Sequence, residues 1–209
     1  ISAPMLVAAN QKIDSLAEEL RSSTMFELAD ASTYDFAPAV FDLLFSRFGI
    51  MFFADPTAAF TNMRGALKPA GRLTFLCWGP VDQNDWITVP MNAARAHLPP
   101  PQPIDPRAPG PFAFSDSVYV TDILQTAGFT DIEFESTEPT MKLGDGGSLD
   151  ASLEFFMELG PLSSALMDQP ESIMSAVRAS VLAAITDRYV DGYVELPGKC
   201  WLVTARNPP

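Results

Sequence analysis

FDLLFSRFGIMFF (41–53), continued by ADPTAAFTNMRGALKPAGRLTFLCWG (54–79), reads as strand, loop, helix, turn and strand. Phe41 to Phe45 is a short apolar run with one acid in it, the composition of a strand buried in a parallel sheet. Asp55-Pro56 starts a helix, because the Asp side chain accepts from orphan N–H groups and Pro lacks a donor where none is needed. Phe60, Met63 and Leu67 recur at helical spacing and give that helix one face to lay on a sheet. Pro69 and Gly71 stop it, and Arg72 to Trp78 (RLTFLCW) is the next strand. A helical crossover between two apolar strands is a βαβ unit, so the fold class is α/β.

Those residues, with LKPAGRL closing the helix and ELPGKCWLVTAR near the end, resemble the region around strands four and five, and the last strand, of class I S-adenosylmethionine-dependent methyltransferases. The subgroup they are most similar to is that of ubiquinone and menaquinone biosynthesis. The resemblance implies a Rossmann-like, doubly wound sheet with an antiparallel C-terminal strand. In that family a Gly-x-Gly-x-Gly loop follows strand one and an acid closes strand two, and both would lie before Ile1. The chain is therefore expected to lack its N-terminal strand or strands. Its strand at 41–45 is then expected to present an unpaired edge, and this piece to bind cofactor weakly or not at all.

The 209 residues suffice for a single domain, expected here over 1–209 with lid-like insertions at about 79–115 and 144–190. Thirteen basic against 26 acidic side chains give a formal charge of −13, which repels phosphate backbones and anionic surfaces. Nucleic acid and membrane are thus unexpected partners, and no apolar run approaches the roughly 20 residues that cross a bilayer. No basic stretch precedes an apolar one at the start, so no signal peptide is read. Cys77 and Cys200 fall in two predicted strands without metal-ligand spacing, which fits a reduced, cytoplasmic setting. A homodimer is an open possibility of the expected edge.

Taken in order, Ser2 caps a helix whose face is Met5, Ala9, Ile13, Leu16 and Leu20. Met25 to Ala29 reads as a short strand ending at Asp30-Ala31. By resemblance, Ile1 follows the ribose-binding acid and Asp30, with Ala31, meets the adenine N6 amine; the alternative is that Asp30 only caps the turn before Tyr34. Ser46, Arg47 and Phe48 follow the strand, where ligands of open α/β sheets bind, and the resemblance places the methionine end of the cofactor there. Arg47 is equally readable as a surface side chain lying over Phe48 or Phe52. From Gly79 to Phe114 nine prolines alternate with short apolar pieces, with a possible short helix in VPMNAARAHL (89–98). So long an excursion reads as a lid, and in the resembling enzymes it covers the acceptor. Trp78, Trp86 and Phe114, with Phe112, would form an aromatic wall for an apolar or aromatic substrate; core filling is the competing reading.

Asp116 caps a helix through Val120, Ile123, Leu124 and Ala127, and Gly128-Phe129 closes it as a Schellman stop. Residues 131–138 alternate as an edge strand. LGDGGSLD is a turn rather than a phosphate loop, its glycines being ringed by acids. Helices follow at about 149–157 and 171–189, and Lys199 to Arg206, apolar on both faces, belongs inside the sheet. Methyl transfer needs positioning and exclusion of water more than a nucleophile, and no catalytic residue is assigned; Asp82, Asp85, His97 and Tyr119 are conceivable bases. With one His and two strand cysteines no metal set is read. The expected activity is S-adenosylmethionine-dependent methylation of a small apolar or aromatic molecule. The alternative is a methyltransferase-like binding or regulatory protein without turnover.

Overall fold

The computed structural model describes residues 2–13, 18–100 and 105–209. Helices α1 (Ala3–Ile13) and α2 (Glu18–Ser22) come first, and neither buries a residue. The amide of Met5 is bonded to the Ser2 hydroxyl, as a cap requires, but the predicted apolar face is open, with Met5 73% exposed. Leu16 of that face lies outside the described residues.

The central sheet has four strands in the order β1-β2-β7-β3. Strand β1 (Phe41–Arg47) runs parallel to β2 (Leu67–Trp78) across helix α3 (Pro56–Ala66), the unit read from 41–79. Asp55 accepts from the Ala58 amide and Pro56 occupies the first turn, so the helix begins where its chemistry demands. Leu67, expected on the helix, instead opens β2 and is still buried. Between its pairings Phe41↔Leu67 and Leu43↔Arg72, β2 bulges outward through Lys68 to Gly71, with Ala70 at φ 61°. Asn207 holds the bulge by donating from Nδ2 to the carbonyls of Leu67 and Lys68 at 3.0 and 3.1 Å. Helix α4 (Asp85–Ala94) follows β2, and α5 (Ser117–Thr126) leads to β3 (Thr130–Thr137) at the sheet edge, as expected from its alternation.

On one sheet face Leu73, Phe75, Cys77, Val203 and Ala205 pack against Phe60 and Met63 of α3 and Val120, Ile123 and Leu124 of α5. Alternation sends Leu43 and Phe45 to the other face, where they are 45% and 65% exposed. Strand β1 has one neighbour and lies at the rim, so the fully buried strand read from its composition is an edge strand here. The strand expected at 25–29 is also absent: those residues form no ladder, and Met25 and Leu28 face out. A strand needs a ladder partner as well as a pattern, and these residues pair with none although the outer edge of β1 is free.

A second core stands beside the first. Strands β4 (Thr140–Leu143), β5 (Tyr189–Val190) and β6 (Tyr193–Pro197) form a small antiparallel sheet in the order β4-β6-β5. Helices α4, α6 (Leu149–Glu158), α7 (Gly160–Leu166) and α8 (Glu171–Thr186) enclose Phe156, Leu162, Val181, Ile185 and Leu196 with it. Arg178 of α8 pairs with Glu154 of α6 on its surface. Residues of both 79–115 and 144–190 pack in this cap. Strand β7 (Cys200–Arg206) then returns to the centre of the first sheet, antiparallel to β2 and β3.

Candidate functional site

Beyond the carboxyl end of β1 lies a cleft of about 550 Å³ whose walls include Ala29, Asp30, Ala31, Ser46, Phe52 and Phe53. Its floor is apolar because Leu44, Ile50, Met63 and Leu73 belong to or border the sheet core. The segment 30–36 is held over it by Asn62 of α3, whose Nδ2 donates to the carbonyls of Ala31 and Tyr34 at 3.1 and 2.9 Å. Asn62 was not singled out by its sequence context, since a polar residue on the exposed side of a helix gives no local signal.

Asp30 is exposed, and its Oδ1 accepts from the Ser32 hydroxyl at 2.7 Å and the Ser32 amide at 2.9 Å. The hydroxyl bond first, then the amide, holds its carboxyl below the usual carboxylate range. Both bonds fall on Oδ1, so Oδ2 keeps its acceptor capacity. The turn-capping reading of Asp30 and a ligand-facing one are thus compatible, one oxygen for each.

Among the residues singled out for cofactor contact, Asp30, Ala31 and Ser46 line this one cleft. Arg47 is exposed and outside its lining. Phe48 turns the other way: at φ 56° it sends its ring onto Trp78, the centroids 4.4 Å apart and nearly parallel at 18°. Ile1 lies outside the described residues.

The three rings expected along a substrate wall divide. Phe114 is 2% exposed and sits beside Phe60 and Phe75 in the sheet core, while Trp86, 8% exposed, belongs to the cap core. Trp78 is half-buried, borders both cores and keeps accessible surface. Core packing therefore occupies two of the three rings. The end of the proline-rich segment is fastened nearby, with the Gly110 amide donating to the Met51 carbonyl at 3.1 Å.

None of Asp82, Asp85, His97 and Tyr119 lines the cleft. His97 is half-buried, with Nε2 2.8 Å from the Ser180 hydroxyl of α8. Tyr119 lies beneath the Arg107 guanidinium at 4.4 Å. Among the described residues no group of three or more His, Cys, Asp or Glu is placed to hold a metal ion, and no helix is long and apolar enough to cross a membrane.

Residues 1–75 match a family model described as a methyltransferase domain. Over 206 residues, 96% of its length, the chain is 25% identical to phosphoethanolamine N-methyltransferase 2 of Caenorhabditis elegans, and it spans 39% of that relative. Among solved structures, the YcgJ protein of Bacillus subtilis superposes over all of this chain and 80% of its own, with 12% identity and a TM-score of 0.56. The [4+2]-cyclase SpnF does so over all of this chain and 65% of its own, at 17% identity and a TM-score of 0.53. The fold is accordingly the Rossmann-like one of that domain, and the ubiquinone-type subgroup is one expectation these relatives leave aside. Residues 1–75 are thus similar in sequence to a methyltransferase domain, and the whole chain shares the fold of the solved structures it superposes on.

Proposed function

We propose that the protein transfers a methyl group from S-adenosylmethionine to a small molecule, with the adenosine end of the cofactor in the cleft between Asp30-Ala31 and Ser46. The observation that carries this reading is the meeting of those three residues, chosen from separate stretches, around one cavity at the carboxyl end of β1. The donor set suits the group. A free carboxylate oxygen of Asp30 accepts from an exocyclic amine, and Leu44, Ile50 and Met63 give an aromatic base an apolar bed. Bound there, the cofactor supplies an electrophilic methyl on a sulfonium with a neutral thioether as leaving group. The chain's own part is to hold, orient and keep water away, which asks for no general base.

For the acceptor, the accessible surface of Trp78 next to Phe48 favours an apolar or aromatic group. A phosphorylated amine, the substrate class in the name of the Caenorhabditis elegans relative, is the polar counterpart. A radiolabelled methyl-transfer assay on a panel of each class separates them, label in the apolar panel alone being the expected result.

Calorimetric titration of S-adenosylhomocysteine into the natural full-length protein tests the reading itself. Saturable binding is expected, weakened about tenfold or more in Asp30→Ala through loss of one charge-assisted hydrogen bond. Undiminished binding by that variant would remove Asp30 from the site. No binding by the unaltered protein would favour a methyltransferase-like binding or regulatory protein.

A further inference from the structure

Three of the chain's passages between the sheet and the cap are at Gly79-Pro80 after β2, at Glu138-Pro139 between β3 and β4, and at Pro197-Gly198 between β6 and β7. A proline at each of these three removes a ladder donor, so these crossings need other fastening. Two bonds tie them to one another: the Gly79 amide donates to the Lys199 carbonyl at 2.8 Å, and the Gly198 amide to the Pro139 carbonyl at 2.9 Å.

Between them sits Asn84, fully buried. Its Nδ2 donates to the carbonyls of Gly79 and Pro80 at 3.3 and 2.8 Å, and its Oδ1 accepts from the Lys199 amide at 2.9 Å and the Trp86 indole Nε1 at 3.0 Å. The carboxamide thus uses both N–H groups and both lone pairs. Its orientation is fixed as well, since a flip would set donors on donors and acceptors on acceptors. Gly198 borders this group: a β-carbon there would stand at ordinary contact distance from it, 3.4 Å from Oδ1 and 3.5 Å from Trp86 Cδ1.

What Asn84 holds in place extends to the cleft. Trp86, oriented by its indole bond, lies against Trp78 with centroids 4.6 Å apart, and Trp78 stacks on Phe48. Phe48 has a left-handed backbone, uncommon for a bulky residue and kept only where its surroundings impose it. Here they are the ring of Trp78 and the bond from the Phe48 amide to the Leu76 carbonyl at 3.0 Å. Ser46 and Gly49, on either side of that strained turn, both line the cleft.

We propose that Asn84 is a positioning residue of the cofactor site: through Trp86, Trp78 and Phe48 it sets the turn at 46–49 on which one wall of the cleft depends. This rests on the methyltransferase reading above. It goes beyond that reading by giving a buried amide in the waist of the molecule a part in ligand affinity.

The test combines two readouts on the full-length protein, calorimetric affinity for S-adenosylhomocysteine and the far-ultraviolet exciton couplet of the Trp78–Trp86 pair. Asn84→Ala is expected to diminish the couplet and to weaken binding about tenfold. Trp86→Phe, which keeps a ring but removes the indole donor, is expected to weaken binding by a like factor, and the double variant to lose no more than either alone. Phe156→Leu, an alteration of the cap core away from the column, should lower the melting temperature while leaving affinity within twofold, which separates positioning from general loosening. The proposal is overturned if Asn84→Ala keeps its affinity, if the two losses multiply, or if Phe156→Leu weakens binding as much. Absence of binding in the unaltered protein would overturn the functional reading first, and would be seen before any variant is made.

Discussion

The Cys77 thiol is buried on the helix-covered face of the sheet, 3.6 Å from the Phe114 carbonyl to which it donates. Burial, with a minor contribution from Cys200, pushes its pKa from the ordinary 9.0 up to about 12. The folded protein therefore keeps the thiol protonated where the unfolded chain ionises it. This group's contribution to stability is intact below pH 9 and is lost as pH rises from 9 toward 12. Denaturation midpoints should fall over that window, and iodoacetamide should leave Cys77 unmodified until denaturant unfolds the protein, as mass spectrometry of pulse-labelled samples would show. Modification at native conditions would mean that the sheet face opens. The inert, small apolar character of both cysteines was legible from their place in apolar runs. The roles of Asn62 and Asn84 were not, because the partners of Asn62 are 31 and 28 residues away and Asn84 joins its local partners to an amide 115 residues away. A side-chain amide carries no periodicity, and only the assembled backbone says what it binds.

Elements whose ends are written in adjacent residues were read correctly. Asp116 accepts from the amides of Val118 and Tyr119, and α5 closes with the Phe129 amide on the Leu124 carbonyl and the Gly128 amide on the Gln125 carbonyl, the full Schellman pair. Asp116→Ala should cost about 1 kcal/mol in chemical denaturation. Gly128→Ala should cost more, roughly 1–3 kcal/mol, because its φ of 89° strains any β-carbon and the Arg64 side chain stands 3.0 Å from where that carbon would lie. Arg64 cannot simply yield, being bonded to the Ala127 carbonyl and to Asn207. If both variants cost the same, the strain at Gly128 is relieved elsewhere. Elements that depend on distant partners were read less well. Residues 25–29 have a strand's composition and no neighbour, and β4, β5 and β6, with four, two and five residues, are too short to leave a pattern. Helix α7 was also missed, a seven-residue element begun by Gly160-Pro161.

At the scale of the molecule the two apolar cores meet at Trp78, which packs against both. Each core is otherwise closed by its own elements, so damage to one should stay largely within it. Phe156→Ala removes a wholly buried ring and should cost about 3–5 kcal/mol. By hydrogen exchange, amides of α6, α8 and β6 should lose protection in that variant while those of β2 and β7 keep it. Equal loss in both sets would make the molecule one cooperative unit. The arrangement of the core around 41–79 was visible from sequence because it is built from consecutive residues, whereas the cap draws on segments separated by α5 and β3. That interleaving has a genetic consequence. A single exchange of coding sequence between related genes cannot swap the cap, because α5 and β3, which belong to the sheet, lie between its parts. Two coordinated exchanges would be required, one flanking 79–115 and one flanking 139–198. Change in the cap is accordingly steered toward point substitution, with Asn84 and Trp86 among the positions least free to vary.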